Sequence, residues 1–235
     1  MDFASDLVSV FAGGAEIYIQ SLAAHWIKDG HSVTLFTSND GHQQPNGSID
    51  GVRIIRRGGF YGVYACAAFY YIFKFRGKFD AIIDCENGIP FFTPLYSKEP
   101  VFCLLHHIHQ DIFRQYLAWP LSWLASFMEK DLMPLVYRNK SFITISESSK
   151  KDMIALGVTN NEINIVHPGV DTDFLIPGEK ALIPIVSYIG RLRDYKSVDV
   201  LIKAFVGIRG RVPTARLVIA GDGDGRDKLL SLISD

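Results

Sequence analysis

The sequence predicts an α/β protein with a doubly wound parallel sheet, followed by the first part of a second sheet of the same kind. Short strands rich in β-branched and aromatic residues alternate with helical patterns over residues 14–166, which is the order of parallel strands joined by crossover helices. A segment with Pro and Gly at residues 167–178 is then typical of an interdomain linker. We therefore predict one domain over residues 1–180 and a partial second domain over residues 181–235.

The composition is that of a globular protein without a bulk attraction for nucleic acid. The 235 residues are 48% hydrophobic, and the formal net charge is −1. Cys66, Cys85 and Cys103 show no C-x-x-C spacing, so we expect reduced thiols and a cytoplasmic protein. The N-terminus lacks the basic and apolar regions of a signal peptide. The most apolar stretch, residues 62–75, is shorter than the about 20 residues that span a bilayer.

The first domain opens with a predicted loop over residues 1–13 and a helix whose apolar stripe, residues 19–27, ends before Gly30. A strand at residues 32–37 follows, and residues 38–51 are predicted as a loop because they are rich in Asn, Asp, Gly and Gln. No strand is predicted before the first helix, so either the natural chain starts earlier or the sheet is one strand short. The other predicted strands are residues 52–56, 80–84, 101–105, 141–145 and 163–166, and the other helices are residues 60–75, 90–96, 112–137 with breaks at Pro120 and Pro134, and 147–156.

The second domain is organised around a strand at residues 184–189 that stops at Gly190 and is followed by basic residues. Ligands of open α/β sheets bind at this carboxyl edge of the strands. An amphipathic helix begins near Val198, so Lys196 lies at a helix N-terminus, where anions are favoured. Arg191 and Lys196 are therefore candidates for one polyanion site. The alternative is that both are ordinary solvated charges beside a helix start.

A glycine pair, Gly13 and Gly14, stands at the start of the first helix. Two glycines let backbone N–H groups approach an anion closely, because no Cβ intervenes. The alternative is a turn that needs a positive φ at these positions.

Four segments give the chain a resemblance to a known family: Gly190-Arg191-Leu192 followed by Lys196, residues 199–205, residues 216–223, and Gly13-Gly14-Ala15-Glu16. Together they resemble the family 4 glycosyltransferases, which have the GT-B fold with two Rossmann-like domains. The resemblance implies that the first domain binds the acceptor and that the second binds a nucleotide-sugar donor. It also implies that Arg191 and Lys196 hold the donor diphosphate and that Gly13 and Gly14 face its phosphates.

The implied activity is transfer of a sugar, with retention of configuration, to a glycan, lipid or small-molecule acceptor, without a cofactor or a required metal. The protein itself must then stabilise the departing diphosphate, for which the Arg191 fork and the Lys196 point charge are suited. The family's acidic Glu-x₇-Glu motif lies further along than this sequence reaches. No carboxylate here is given its role, and we expect the chain to be inactive alone.

Three histidines, His106, His107 and His109, follow the predicted strand at residues 101–105. In the family a histidine after this strand contacts the donor sugar. His106 matches that place best, and His107 is the alternative because a one-residue register error exchanges them. Strand alternation places His107 and His109 on one side, but no Cys or acidic cluster completes a metal site with them. A histidine that only makes a hydrogen bond at a strand end is the structural alternative.

Gly221 and Asp222 begin a glycine-rich turn after the strand at residues 215–220. This turn is not a dinucleotide fingerprint, because Arg226 stands where the third glycine is needed. The resemblance implies that the turn borders the nucleotide base. A purely structural turn is an equal alternative.

Residues 51–80 combine basic and aromatic side chains with a single acid, Asp80. Such a segment suits the anionic inner face of a membrane or an acidic or lipid-linked acceptor. Our default interpretation is a solvated basic rim over an ordinary helix, and no nucleic-acid recognition motif accompanies it.

Two function classes remain as alternatives to a glycosyltransferase. A sugar-nucleotide epimerase of similar fold would use the same anion site with acid and base carboxylates beside it. A non-catalytic fragment or binding module is the other alternative.

Overall fold

The computed structural model describes residues 13–159 and 162–234. The chain divides into two compact units, Met1–Gly169 and Val170–Asp235. The division falls inside the segment predicted as a linker. Residues 1–12 are not among the described residues. The prediction that they form a loop and contain no opening strand therefore stays a prediction.

The first sheet of the first unit contains β1 (Thr34–Thr37), β2 (Asn46–Ile49) and β3 (Val52–Arg56), in the order β1-β3-β2. β1 is parallel to β3, and β2 is antiparallel to it. The prediction that residues 38–51 are all loop was wrong, because β2 forms a hairpin with β3. Asp50 and Gly51 both have positive φ, 50° and 81°, which is the backbone of a type I′ hairpin turn.

The second sheet contains β4 (Ile82–Glu86), β5 (Val101–Leu105), β6 (Ser141–Thr144) and β7 (Ile163–Ile165). Its order is β4-β5-β6-β7, and all neighbours are parallel, which confirms the parallel α/β architecture. Among the described residues no strand pairs with both β1 and β4. A cavity of about 190 Å³ separates them, lined by apolar groups of both strands that include Leu35 and Ile83.

The helices of the first unit cover these sheets. The helix predicted at residues 112–137 is broken before Leu121, as the proline at position 120 indicates. The predicted break at Pro134 was wrong, because the helical backbone is continuous over residues 121–136 and Pro134 lies in its last turn. The short helix predicted at residues 90–96 is only a 3₁₀ turn, Thr93–Leu95. The described α-helices are α1 (Gly14–Lys28), α2 (Gly59–Tyr70), α3 (Gln110–Tyr116), α4 (Leu121–Phe127), α5 (Met133–Val136) and α6 (Glu147–Ala155), with π-helical turns at Tyr71–Phe75 and Met128–Leu132.

The main core of the first unit lies on one side of the second sheet. Met133 of α5, Tyr137 directly after α5 and Met153 of α6 belong to it, and all three are completely buried. This core holds β5, which is followed directly by the histidines. A smaller core holds α1 against the first sheet.

The second unit contains two parallel strands and two helices: β8 (Ile185–Ile189), α7 (Val198–Arg211), β9 (Arg216–Ala220) and α8 (Arg226–Ser234). Leu192, Val198, Ile202 and Leu229 form its core. Side chains alternate along both strands between half-buried and exposed, so one face of this two-stranded sheet is open.

Candidate functional site

The glycine pair lies at the N-terminus of α1, beside the carboxyl end of β4. The Gly13 N–H donates to Glu16 Oε2 at 2.8 Å, and Asn87 Nδ2 donates to Glu16 Oε1 at 3.2 Å. Gly13 is extended, with φ −107°, and Gly14 is helical, so the alternative of a positive-φ turn was wrong. Within the part of the chain that the structure describes, an added Cβ on Gly14 would have no atom within 4 Å outside its own helix backbone. The N–H groups at a helix start attract anions.

His106 lies directly after β5 with its side chain only 8% exposed. Its ring packs edge-on against Tyr18, with centroids 5.2 Å apart. Nε2 has no hydrogen-bond partner among the described residues. The ring lines a cavity of about 240 Å³ that Glu16 and Asn87 also line. Burial lowers the pKa of His106, although the nearby Glu16 carboxylate opposes that effect. The ring is therefore neutral near pH 7, and its buried Nε2 is left without a partner in the described part of the chain.

The other two histidines are arranged differently. His107 is exposed and its ring packs against that of His109, with centroids 4.1 Å apart and the planes tilted by 32°. His109 is buried, and its backbone N–H donates to Glu129 Oε1 at 2.6 Å. Its Nδ1 lies 3.3 Å from the same oxygen, in ion-pair distance but without a directed hydrogen bond. His109 thus has a structural environment, whereas His106 faces the cavity.

Three buried carboxylates near the histidines were not predicted from the sequence. Asp84 and Glu86 lie two positions apart on the same face of β4, and Glu129 is completely buried on the π-helical turn after α4. Asp84 accepts hydrogen bonds from the hydroxyls of Thr93 and Tyr137. The sequence signal was a pair of acids two positions apart, Asp84 and Glu86, in an otherwise apolar strand, which puts both on the same face.

Glu86 is the least compensated of these acids. Burial raises its pKa well above the usual range, and the Glu129 and Asp84 carboxylates raise it further. The thiol of Cys103 donates to Oε2 at 3.6 Å, while Oε1 has no partner among the described residues. The folded chain therefore holds a proton on Glu86 more tightly than the unfolded chain does.

We expect Glu86→Gln to raise the free energy of unfolding of the first unit near pH 7. A raised carboxyl pKa gives a stabilisation that is present below the unfolded value of about 4.5 and is lost as pH rises through the folded value. The variant should flatten that decline, as measured by urea unfolding at a series of pH values. The exposed Glu179→Gln should leave the pH dependence as in the wild type. A lower stability of Glu86→Gln with an unchanged pH slope would contradict this account.

In the second unit, Arg191 and Lys196 lie on the loop after β8. The Arg191 Nη2 lies 3.4 Å from the Tyr195 hydroxyl, and the Lys196 Nζ lies 5.1 Å from the centroid of the Tyr195 ring. Leu192, only 5% exposed, anchors the loop in the core. The two cations are therefore brought to the same tyrosine and face solvent.

Two neighbouring cations, Arg193 and Lys228, are already paired. Arg193 contacts Asp224 at 3.0 Å, and Lys228 contacts Asp194 at 3.1 Å. Within residues 13–159 and 162–234, neither Arg191 nor Lys196 has a carboxylate within ion-pair distance. These two side chains are therefore free of competing carboxylates in the described part of the chain and can pair with an anionic ligand.

The glycine-rich turn packs directly on the same loop. The Leu192 N–H donates to the Asp222 carbonyl at 2.8 Å, and the Gly190 N–H donates to the Ala220 carbonyl at 3.0 Å. A Cβ on Gly221 would lie 1.9 Å from the Gly190 carbonyl oxygen. Gly221 thus has a steric reason to be glycine, which favours the structural alternative for this residue. The Asp222 carboxylate accepts from the Gly223 N–H at 2.8 Å.

Among the residues that the structure describes, no three His, Cys, Asp or Glu side chains are grouped to hold a metal ion. None of the described helices combines the length and the apolar character needed to cross a bilayer.

Two protein-family models together match nearly the whole chain, residues 12–235. The model of Glycosyltransferase Family 4 matches residues 12–174, and that of Glycosyl transferases group 1 matches residues 174–235. The chain is 35% identical to a D-inositol 3-phosphate glycosyltransferase of Mycobacteroides abscessus, over 94% of this chain and 56% of that protein. It is 33% identical to the protein of the same name from Mycobacterium sp. (strain KMS), over 91% of this chain and 54% of that protein. The chain thus spans about half the length of these relatives.

Two solved structures of TarM are similar in fold. A Staphylococcus aureus TarM mutant in complex with fondaparinux, α-GlcNAc-glycerol and UDP gives a TM-score of 0.52 at 18% identity, over 75% of this chain and 35% of that chain. A second TarM structure gives a TM-score of 0.54 at 19% identity, over 75% of this chain and 34% of that chain. At these identities the likeness concerns the fold, and it confirms the expected GT-B architecture.

Proposed function

The chain belongs to the family 4 glycosyltransferases, and from that premise we propose that it forms the acceptor domain and the first part of the donor domain of an enzyme that transfers a sugar from a nucleotide-sugar to an acceptor. The family assignment favours this activity over a sugar-nucleotide epimerase. Since the chain spans about half the length of its relatives, we assign transfer to a polypeptide with a completed donor domain.

One observation carries the proposal: Arg191 and Lys196, which have no carboxylate partner within residues 13–159 and 162–234, both approach Tyr195 at the carboxyl end of β8. A departing nucleoside diphosphate carries several negative charges, and their stabilisation is the main demand of the reaction. Arg191 offers a planar fork for two phosphate oxygens, and Lys196 offers a point charge beside it. Because Arg193 and Lys228 are engaged with acids, the diphosphate is assigned to Arg191 and Lys196.

His106 and Gly14 have supporting roles in the proposal. A neutral His106 ring, whose Nε2 has no partner among the described residues, suits one hydrogen bond to a sugar hydroxyl, which would orient the donor. The absence of a side chain on Gly14 lets backbone N–H groups approach a phosphate. His107, which is exposed and packed against His109, is the weaker candidate. Gly221 and Asp222 lie beside the loop that carries Arg191. Because Gly221 is packed against the Gly190 carbonyl, we propose contact with the nucleotide base for Asp222 and not for Gly221.

The finer parts of the proposal are retention of configuration, no metal requirement and a cytoplasmic location. The three thiols of Cys66, Cys85 and Cys103 are free, which suits a reducing compartment. Peripheral contact with the inner face of a membrane belongs to the same proposal, supported by the apolar surface of α2. As the first nucleotide and acceptor classes to test we name UDP-sugars, after the TarM complex with UDP, and phosphorylated polyols, after the relatives' name.

The activity is testable in a chimera whose donor domain is completed by the C-terminal half of the Mycobacteroides abscessus relative. We expect transfer from a UDP-sugar in the presence of EDTA, with the product's anomeric proton showing the configuration of the donor by NMR. The relative itself serves as the positive control. Product of inverted configuration would refute retention, and interconversion of the donor without transfer would favour an epimerase.

A further inference from the structure

The segment that carries the three histidines, residues 106–109, lies outside regular secondary structure. The paired residues of β5 end at Leu105, and α3 begins at Gln110. The direction of the His106 ring therefore depends on contacts that this short backbone segment makes outside the strand ladder. Two buried side chains from later parts of the chain, Ser149 and Glu129, make such contacts.

Ser149 holds the first residue of the segment. It lies on α6, and its hydroxyl donates to the His106 carbonyl at 2.6 Å. The carbonyl and the ring belong to the same residue, so this hydrogen bond restricts the backbone directly beside the ring. Ser149 is fixed in turn, because its N–H donates at 3.2 Å to the hydroxyl of Ser146, the N-cap residue of α6.

Glu129 holds the last residue of the segment. Its Oε1 accepts from the His109 N–H at 2.6 Å, and its Oε2 accepts from the Gln110 side chain at 2.7 Å. His109 is the N-cap residue of α3, and its own side chain makes no capping hydrogen bond. A carboxylate from a distant element therefore satisfies an N–H group at this helix start.

The burial of Glu129 points to a geometric role. This carboxylate is completely buried, on the π-helical turn Met128–Leu132. A buried carboxylate stabilises a fold little compared with an apolar side chain of the same size, because the cost of its dehydration offsets its hydrogen bonds. Single π-helical turns often occur at functional sites. What Glu129 supplies is therefore the geometry of the segment that it contacts, more than the stability of the unit.

The His106 ring is the group whose direction this support decides. The ring lies edge-on to Tyr18 and lines the same cavity as Glu16 and Asn87. A displacement of about 1 Å in a group that orients a substrate lowers turnover by up to about 100-fold. A firm support for the segment is therefore needed if His106 is to orient a donor sugar.

We propose that Ser149 and Glu129 are positioning residues, which hold the two ends of the segment at residues 106–109 and thereby direct the His106 ring into the cavity. Neither side chain contacts the reacting groups in this account, since both act through the backbone of the segment. The inference rests on the proposed role of His106 in orienting the donor, and it assigns a function to two buried residues of α6 and of the π-helical turn.

NMR of the His106 ring in the 235-residue chain tests the inference without any activity measurement. In the wild type we expect a nuclear Overhauser effect between the His106 and Tyr18 rings, and a His106 pKa below the ordinary value of about 6.5. Ser149→Ala should remove the ring contact and raise the pKa toward that value, because the displaced ring becomes more exposed. Ser149→Thr keeps the hydroxyl, and Ser148→Ala removes an exposed hydroxyl one residue away, so both should behave like the wild type.

Glu129→Met tests the other end of the segment. Methionine keeps most of the volume of the side chain but removes both acceptor oxygens, so the ring of His106 should change as in Ser149→Ala. Exchange of the His109 N–H should also accelerate about tenfold or more, because it loses a bond to a charged acceptor. Asp131→Met is the matched control, since it removes an exposed acid of the same turn, and it should change neither measurement. Far-UV circular dichroism checks that the variants are folded, and Ser149→Ala, which removes one hydroxyl, carries the test if Glu129→Met does not fold.

Turnover of the completed chimera links the ring to the reaction. Ser149→Ala should lower it about tenfold, and Ser149→Thr should stay close to the wild type. A wild-type ring contact and a wild-type His106 pKa in folded Ser149→Ala would overturn the proposal. So would a displaced ring with wild-type turnover, or the same displacement in Ser148→Ala or Asp131→Met. An inactive wild-type chimera would instead contradict the proposed function, and the ring measurements would still decide whether Ser149 and Glu129 hold His106.

Discussion

Replacing Arg191 by alanine is expected to lower the turnover of the completed chimera about 100-fold or more, as loss of a charge partner of the transition state does. The Arg191 side chain has no carboxylate partner in the described part of the chain and approaches Tyr195 together with Lys196. Lys196→Ala should have an effect of similar size. Initial rates of sugar transfer at saturating donor give the measurement.

The chain supplies the matched control for this variant. Arg193 is two residues away on the same loop, but it is paired with Asp224, so Arg193→Ala should keep turnover within about a factor of three, as expected for a surface ion pair. Arg191→Lys should be nearly as harmful as alanine because the two-pronged donor is lost. Wild-type turnover in Arg191→Ala would refute the assignment of the diphosphate to this residue.

Gly221→Ala is expected to destabilise the second unit by about 3 kcal/mol, from backbone strain and overlap with the neighbouring loop. The φ of Gly221 is +156°, and an added Cβ would meet the Gly190 carbonyl oxygen at 1.9 Å. Amide hydrogen exchange in β8 and β9 should accelerate on the order of 100-fold.

Gly207→Ala is the control for that change. Gly207 lies within α7, and a Cβ there has no atom within 4 Å, so alanine should stabilise the helix by about 0.5–1 kcal/mol. Unchanged exchange in β8 and β9 of Gly221→Ala would show that the loop can move away and that the turn is not fixed as described.

The alternation of strands and helices could be predicted because each parallel strand is an apolar run and each crossover helix repeats its apolar residues every three or four positions. The hairpin of β2 escaped prediction. Its residues, Asn46–Ile49, are polar and mostly exposed, so composition indicated a loop, although Asp50-Gly51 is a hairpin turn signal. The pairing of β2 with β3 depends on tertiary contacts that periodicity does not report.

The site residues that directly follow a strand could be predicted from the sequence. The residues whose role depends on burial or on distant partners could not. Arg191 and Lys196 follow a strand directly, so sequence placed them on one loop. The pairing of Arg193 with Asp224, which singles out Arg191, involves a turn more than thirty residues later. Likewise, the buried environment of Glu86 comes from Cys103 and Glu129 on other elements. Such long-range neighbours have no local sequence signal.

NMR titration of the ¹⁵N-labelled 235-residue chain with UDP tests most directly whether Arg191 and Lys196 bind the donor diphosphate. We expect the signals of residues 190–196 to shift, with an affinity weaker than about micromolar because most of a nucleotide-sugar pocket is missing. Arg191→Ala should abolish these shifts and Arg193→Ala should keep them. Shifts centred away from this loop, or shifts that persist unchanged in Arg191→Ala, would contradict binding by these residues.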